Sequence, residues 1–302
     1  MSFDAFNAAG RFFRGNLHTH STRSDGMISP EEVCKRYREK GYDFICLSDH
    51  FTPAYDFPVV DTTPYRTDGF TTIFGAECHA PATSGGEQWH VLAVGLPLDF
   101  PKNLPGETGP QIAKRCADAG AFVAIPHPEW YALTQADAAS IPCAHAVEVY
   151  NHTSQVRQAR GGGAYYLDDI LNGGRRINAL ACDDAHWFVK GDENRDAFGG
   201  WVMVKAERND PADLLEALKN GHYYSSQGPS IEHLTVDGDV IEVTSSAAIQ
   251  IMLVGRGSKN EAVSGFDLTS ARLPWKKFAG DWCRLMVMDN NGKIAWSNPI
   301  YL

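Results

Sequence analysis

Short apolar runs alternate with polar, helix-like stretches over roughly the first 225 residues of the chain. The runs at 12–17, 44–48, 71–76, 121–125, 146–150, 177–182 and 200–205 are nearly continuous in apolar character and rich in Val, Ile and Phe. Strands buried on both faces read this way, because neither face meets water. A shorter run at 91–95 is placed as a hairpin partner. Between the runs, Ser29 is an N-cap, Pro30 opens a helix, Glu32 closes a capping box and Gly41 ends it. The stretch 111–119 stops at Gly120, and Asp210 caps a helix opened by Pro211 and ended by Gly221. Residues 156–173 read as a helix interrupted at Gly161, Gly162 and Gly163. That triplet lacks the strand–loop–helix context of a phosphate cradle and is expected to be a flexible lid or a helix break. The alternation predicts βα units, hence an α/β fold closed as a barrel.

The texture changes after Gly228 and Pro229. Strand-like runs at 231–236, 249–254, 284–288 and 293–296 are separated by turns at Asp237–Gly238 and Asn290–Asn291–Gly292. The expectation is a barrel over 1–228 followed by an antiparallel, sandwich-like β module over 229–302. Trp275, Trp282 and Trp296 fall in that module and are read as core or interdomain packing.

The chemistry-bearing residues cluster at the ends of these runs. His18 and His20 come directly after the first, with Asp25 close behind; Asp49 and His50 come after the second, and Glu77 ends the third. His90 opens the hairpin run, His127 comes after the next, Glu148 lies near the end of its strand, and Asp184 and His186 lie just beyond 177–182. In a parallel barrel the C-terminal strand ends converge on one face, so these residues meet in one cavity. Six imidazoles and several carboxylates around one mouth are costly to desolvate, and divalent cations remove that cost. Taken singly each motif is weak; the joint placement at strand ends carries the reading.

Composition narrows the partners. Lys plus Arg number 27 against 37 Asp plus Glu, a formal net charge of −10, which disfavours long nucleic acid and leaves room for a local cationic pocket. No apolar run reaches the roughly 18 residues needed to span a bilayer. The first residues lack the charged and apolar regions of a signal peptide, and the seven cysteines form no CxxC pair. Cys46 and Cys182 lie in apolar runs as small hydrophobes. The expected setting is the reducing cytoplasm; no feature specifies an oligomeric state.

The order His18-x-His20, Ser24-Asp25-Gly26, Asp49-His50, Glu77, His90, His127, Asp184-x-His186 resembles the PHP (polymerase and histidinol phosphatase) family, over about residues 12–228. The resemblance implies a distorted seven-stranded β/α barrel of amidohydrolase-like type and a metal-dependent phosphoesterase holding two or three Mn, Zn or Fe ions. It implies that His18, His20, Glu77 and Asp184 hold one ion. Glu77 would bridge to a second held by His90 and His127, and Asp25, His50 and His186 would hold a third. The family usually has a small residue before the final aspartate, whereas Cys182-Asp183-Asp184 offers two carboxylates. Asp184 keeps the D-x-H spacing, with Asp183 the alternative.

Paired cations suit phosphate esters, because they lower the pKa of a shared water and clamp phosphoryl oxygens. The expected reaction is attack on phosphorus by a hydroxide shared near Glu77 and Asp184, with His186 or His152 assisting the leaving oxygen. The same centre could instead cleave an amide or a lactone. Arg23 is the expected phosphate contact and His152 a second substrate contact, while Arg157 and Arg160, bordering the glycine-rich loop, read as an exposed helix face that could also reach substrate. Asp49 is expected to orient a ligand or fix the His50 loop, and Glu148 to support a ligand or form a salt bridge. His79, His145, His222 and His233 fall outside the pattern and are read as structural. The substrate is expected to be a small phosphorylated molecule. Proofreading of DNA is disfavoured by the acidity, and histidinol phosphate by the extra β module.

Overall fold

The computed structural model describes residues 4–192 and 194–302; residues 1–3, at the start of the N-terminal segment, lie outside them. The first unit contains β1 (Arg11–Asn16), β2 (Phe44–Leu47), β3 (His50–Phe51), β4 (Thr71–Ala80), β5 (Trp89–Val94), β6 (Phe122–Ile125), β7 (Ala146–Asn151), β8 (Asn178–Cys182), β9 (Trp201–Ala206) and β10 (Tyr223–Ser226). Its helices are α1 (Asp4–Asn7), α2 (Pro30–Glu39), α3 (Gly109–Asp118), α4 (Gln135–Ser140), α5 (His152–Gln158), α6 (Ala164–Asn172) and α7 (Pro211–Lys219). Every residue of β2 and β6 is buried, as their unbroken apolar runs require.

The α/β expectation is met, but the protein is richer in sheet than regular βα alternation predicts. β1, β2 and β4 are parallel, β5 runs antiparallel to β4 and β6, and β6, β7 and β8 are parallel again. Loops with short 3₁₀ turns, not a helix, connect β2 to β4. Beyond the strands proper, the extensions of β1 and β8 meet. Asp184 N donates to His18 O at 2.8 Å and His20 N to Ala185 O at 2.8 Å. That pairing draws the histidine-bearing ends of the two strands together.

Helix boundaries follow their caps. Ser29 Oγ accepts from Glu32 N at 3.2 Å, yet Glu32 does not complete the box: its carboxylate accepts from Arg36 Nε at 2.9 Å instead. An arginine one turn on competes successfully for the carboxylate. Complete boxes lie at Thr108 with Gln111 and at Thr134 with Asp137. The Gly161–Gly163 expectation also changes. Gly162 bridges Tyr150, Asn151 N donates to Gly161 O at 2.9 Å, and Gly163 N donates to Val149 O at 3.0 Å. A Cβ on Gly163 would lie 1.9 Å from Glu148 O, so glycine there permits close packing on β7. The triplet does separate α5 from α6, but as a packed strap.

The C-terminal unit comprises β11 (Ile231–Asp237), β12 (Val240–Gly255), β13 (Asn260–Pro274), β14 (Trp282–Met288), β15 (Ile294–Ser297) and β16 (Ile300–Tyr301). The expected separate sandwich is corrected: β15 pairs with β10, so these strands continue one 16-stranded sheet. Their core includes Tyr224, with Phe12 and Met203 of the first unit packed against it. β13 had no counterpart among the expected runs. Its side chains are mostly exposed or half-buried, so it lacks an apolar signature.

Trp282 and Trp296 are buried in the cluster that includes β5, β6, β7 and β8 side chains, so they pack β14 and β15 against those strands. Arg284, 3% exposed, donates from Nε and Nη2 to Asp168 on α6 at 2.7 and 2.8 Å. Removing one partner of a buried pair leaves an uncompensated charge. Asp168→Ala should therefore lower the unfolding free energy by about 3 kcal/mol in urea titration, and Arg284→Met by clearly less. Equal, small losses would show that the pair is not the interdomain fastening.

Candidate metal centre

β4 runs through the centre of the cluster and presents Glu77 from its middle. Glu77 is buried, with His90 Nδ1 and His127 Nε2 each 2.9 Å from its Oε1 and His18 Nε2 at 3.5 Å. Around Oε2 lie His50 Nδ1 at 2.7 Å, His79 Nε2 at 3.6 Å and His20 Nε2 at 3.8 Å. Asp184 Oδ1 stands 2.9 Å from His20 Nε2 and 3.2 Å from His18 Nε2. Asp25 Oδ1 stands 3.3 Å from His50 Nε2 and 3.4 Å from His186 Nε2. The nine residues expected to share a cavity, His18, His20, Asp25, His50, Glu77, His90, His127, Asp184 and His186, are thus brought together. Their donor atoms form overlapping groups, each compact enough to surround one ion.

The supporting residues explain how the sequence builds this. Glu148 Oε1 accepts from His18 Nδ1–H at 2.8 Å, which fixes the tautomer and turns Nε2 inward. Glu148 Oε2 accepts from His127 N at 2.7 Å and Asn151 Nδ2 at 2.8 Å. Asp49 accepts from Ser21 N, Ser21 Oγ and Ser24 Oγ at 2.8, 2.7 and 2.6 Å, so it fastens the loop that carries Asp25. Asp183 is committed elsewhere: it accepts from Tyr37 Oη at 2.7 Å and from the backbone N–H groups of Phe198, Gly199 and Gly200 at 2.8 Å each. That leaves Asp184 as the carboxylate facing the histidines. Asp196 holds the His186 loop by accepting from His186 N and Trp187 N at 2.7 and 2.9 Å.

The electrostatics are those of a buried, mutually compensating cluster. Burial works to raise the Glu77 carboxyl, but His90, His18 and His50 overcome it and hold the group well below its usual range. Burial opposes charge on His18, yet Asp184, Glu148 and Glu77 lift it well above an ordinary histidine. Burial, with His186 and His50 adding repulsion, brings His20 down to about 3, and burial brings His90 down to about 3 against the pull of Glu77. His50 is lifted to about 10, because Glu77 and Asp25 outweigh its burial. The donor set fits a divalent cation. His18 Nε2 and Glu77 Oε2 are buried and lack hydrogen-bond partners among the described residues, and imidazole with carboxylate is ligand chemistry for Mn, Zn or Fe.

The two expected substrate contacts stand away from the cleft lining. His152 has both ring nitrogens engaged, Nδ1 with Tyr150 Oη at 2.8 Å and Nε2 with Arg195 O at 3.1 Å, and it does not line the cleft. Arg23 is exposed on the Asp25 loop and also stands outside the lining. The arginine that does line the cleft is Arg157, expected from the sequence to lie on an outward helix face. α5 begins directly at the end of β7, so its first turns overlook the cavity of about 160 Å³, with Thr153, Ser154 and Arg157 on its wall. The i, i+4 spacing from Thr153 to Arg157, counted from a strand end, is the signal that could have found it. Trp130 closes the opposite part of the lining, and His79, expected to be structural, stands inside the cluster. His145, by contrast, accepts from Val123 N at 3.1 Å through Nδ1, a structural role.

Because Glu148 pins both His18 and the His127 backbone, Glu148→Gln should place an amide against donors at Oε2 and weaken metal binding about tenfold or more. Calorimetric titration with Mn or Zn measures this; unchanged affinity would remove Glu148 from the support of the centre.

Residues 16–104 match the family model of the PHP domain. His18, His20, Asp25, His50, Glu77 and His90 lie inside that span, and His127, Asp184 and His186 beyond it. No curated protein matches the chain significantly. The chain is similar over its length to a two-domain protein from Bacteroides vulgatus containing a predicted PHP-like metal-dependent phosphoesterase, with 14% identity, 99% of each chain covered and a TM-score of 0.54. That likeness shows a shared fold. A candidate metal-dependent phosphoesterase from Bifidobacterium adolescentis is 15% identical over 60% of this chain and 89% of that chain, with a TM-score of 0.39. An amidohydrolase from Chromobacterium violaceum, with bound sulfate and no metal, is 13% identical over 59% of this chain and 89% of that chain, with a TM-score of 0.44.

Proposed function

Because the chain carries a PHP domain over residues 16–104, we propose that it is a metal-dependent hydrolase acting on phosphate esters of a small molecule. The observation that carries this reading is the gathering of nine nitrogen- and oxygen-bearing side chains, Glu77 among them, beneath a cleft whose lining includes one arginine. We read residues 1–228 as a distorted seven-stranded barrel bearing the centre, and 229–302 as a second unit fastened to it. The seven cysteines are free thiols, which supports a reducing, cytoplasmic setting.

Two or three Mn, Zn or Fe ions would be held by His18, His20, Glu77 and Asp184, by Glu77, His90 and His127, and by Asp25, His50 and His186. Bound there, they would supply Lewis acidity and a nucleophilic water at neutral pH. The chain's own residues do the rest. Glu77 and Asp184 hold the charge at the centre, and Glu148, Asp49 and Asp196 keep the donors in place. Arg157 offers a guanidinium fork to phosphate oxygens, and its stacking 4.6 Å over Phe188 limits the directions it can take. Trp130 and the wall of α5 restrict water around the bound ester. His186 keeps Nδ1–H on Asp184 O at 2.7 Å, so its Nε2 lone pair faces Asp25 and the substrate side.

The test is a panel of phosphate esters, amides and lactones given to metal-free protein with Mn, Zn or Fe restored. Release of inorganic phosphate is expected only with metal present. Arg157→Ala should lower kcat/KM for phosphate esters about a hundredfold while metal content is unchanged. Turnover of amides or lactones without phosphate release would replace the phosphoesterase reading with the alternative hydrolase.

A further inference from the structure

His50 has different company at its two ring nitrogens. Nε2 lies 3.3 Å from Asp25 Oδ1, inside the group formed with His20 and His186. Nδ1 has two neighbours at equal distance, His79 Nε2 at 2.7 Å and Glu77 Oε2 at 2.7 Å. The contact with His79 is a hydrogen bond, and Glu77 Oε2, at the same distance, competes for the same ring nitrogen.

An imidazole that gives one nitrogen to an ion is neutral and carries its single N–H on the other, although beside Glu77 and Asp25 alone the His50 ring favours its charged form. For Nε2 to offer its lone pair beside Asp25, the proton must sit on Nδ1 and must find an acceptor there. With the Glu77 carboxylate turned to the ions, His79 Nε2 is the acceptor left for that N–H. The strand geometry makes this possible: Glu77 and His79 are two residues apart on β4, so both side chains point to the same face. His79 is 5% exposed, its ring centre lies 4.7 Å from that of His50, and its carbonyl accepts from Asn103 Nδ2 at 2.6 Å. Its own Nδ1 is buried without a hydrogen-bond partner among the described residues.

We propose that His79 is a positioning residue for the metal centre. It accepts from His50 Nδ1–H, holds the tautomer that presents His50 Nε2 toward Asp25 and His186, and leaves the Glu77 carboxylate free for the ions. His79 also stands in a donor group with His50 and Glu77, and in this role its Nε2 lone pair is taken by the His50 N–H and not by an ion. The role rests on the metal-dependent reading above and adds a residue outside the nine.

The test is stepwise Mn binding by calorimetry with elemental analysis on the wild-type chain, Asp25→Asn, His79→Phe and His79→Gln. Asp25→Asn identifies the step that belongs to the Asp25, His50 and His186 group. His79→Phe keeps a ring but no acceptor, and should weaken that step 10–100-fold while the remaining steps stay within about threefold. His79→Gln keeps an acceptor oxygen and should bind at that step within about fivefold of wild type. An unchanged step in the Phe variant, or loss of every step in both variants, overturns the proposal. If the Phe variant does not fold, the Gln variant decides: binding near wild type supports the role, and loss of the Asp25 step refutes it. A wild-type chain that takes up no Mn, Zn or Fe refutes the metal-dependent function itself, and this role falls with it.

Discussion

An ionised carboxylate in the interior of a protein is tolerable only with counter-charge and hydrogen bonds close by, and Glu77 sits at such a point. Six imidazoles, from His18, His20, His50, His79, His90 and His127, stand within 3.8 Å of its two oxygens. They arrive from β3, β4 and β5 and from the segments after β1 and β6. The arrangement of strands in the first unit, including the antiparallel insertion of β5 beside β4, serves to bring these rings around one carboxylate.

The backbone records the cost of that convergence. His127 and Asp184, just beyond β6 and β8, have φ of 29° and 58°, in the left-handed region that non-glycine residues seldom adopt. Such conformations persist when surrounding contacts over-determine them. Glu148 accepts from His127 N, and Asp184 N donates to His18 O. Asp183 and Asp196 fasten the next segment, from His186 to Gly200, mostly through backbone N–H groups. A second tier of carboxylates thus shapes the chain, while Glu77, Asp184 and Asp25 face the histidines. Cys182-Asp183-Asp184 is explained by this division of labour: adjacent carboxylates point to opposite environments and do different work.

The strand-end residues were legible because three physical signals coincided: apolar runs, donors at their ends, and the convergence of those ends in an α/β fold. His18, His20, His50 and Asp184 were readable on that basis. Arg157 was not, because the reading placed the helix start at residue 156, four residues late, and the rotation of a helix about its axis follows from its first residue. His152 shows the complementary limit: nearness in sequence to a ligand says nothing about whether a side chain's polar atoms are already taken. His79 was hidden by the same limit, since only the direction of the His50 Nδ1–H distinguishes an acceptor from a packing ring. In the second unit, β13 escaped notice because an edge strand exposed along most of its length carries no apolar alternation. The single continuous sheet depended on the β10–β15 pairing, a long-range contact that local pattern does not encode.

The central claim is that the donors around Glu77 enclose ions. Anomalous diffraction from crystals of the Mn-loaded protein, collected at the Mn absorption edge, addresses it directly. The account predicts two or three peaks within the ring formed by His18, His20, Asp25, His50, Glu77, His90, His127, Asp184 and His186, each within coordinating distance of the nitrogens and oxygens assigned to it. A saturated crystal with no anomalous density inside that ring would contradict it.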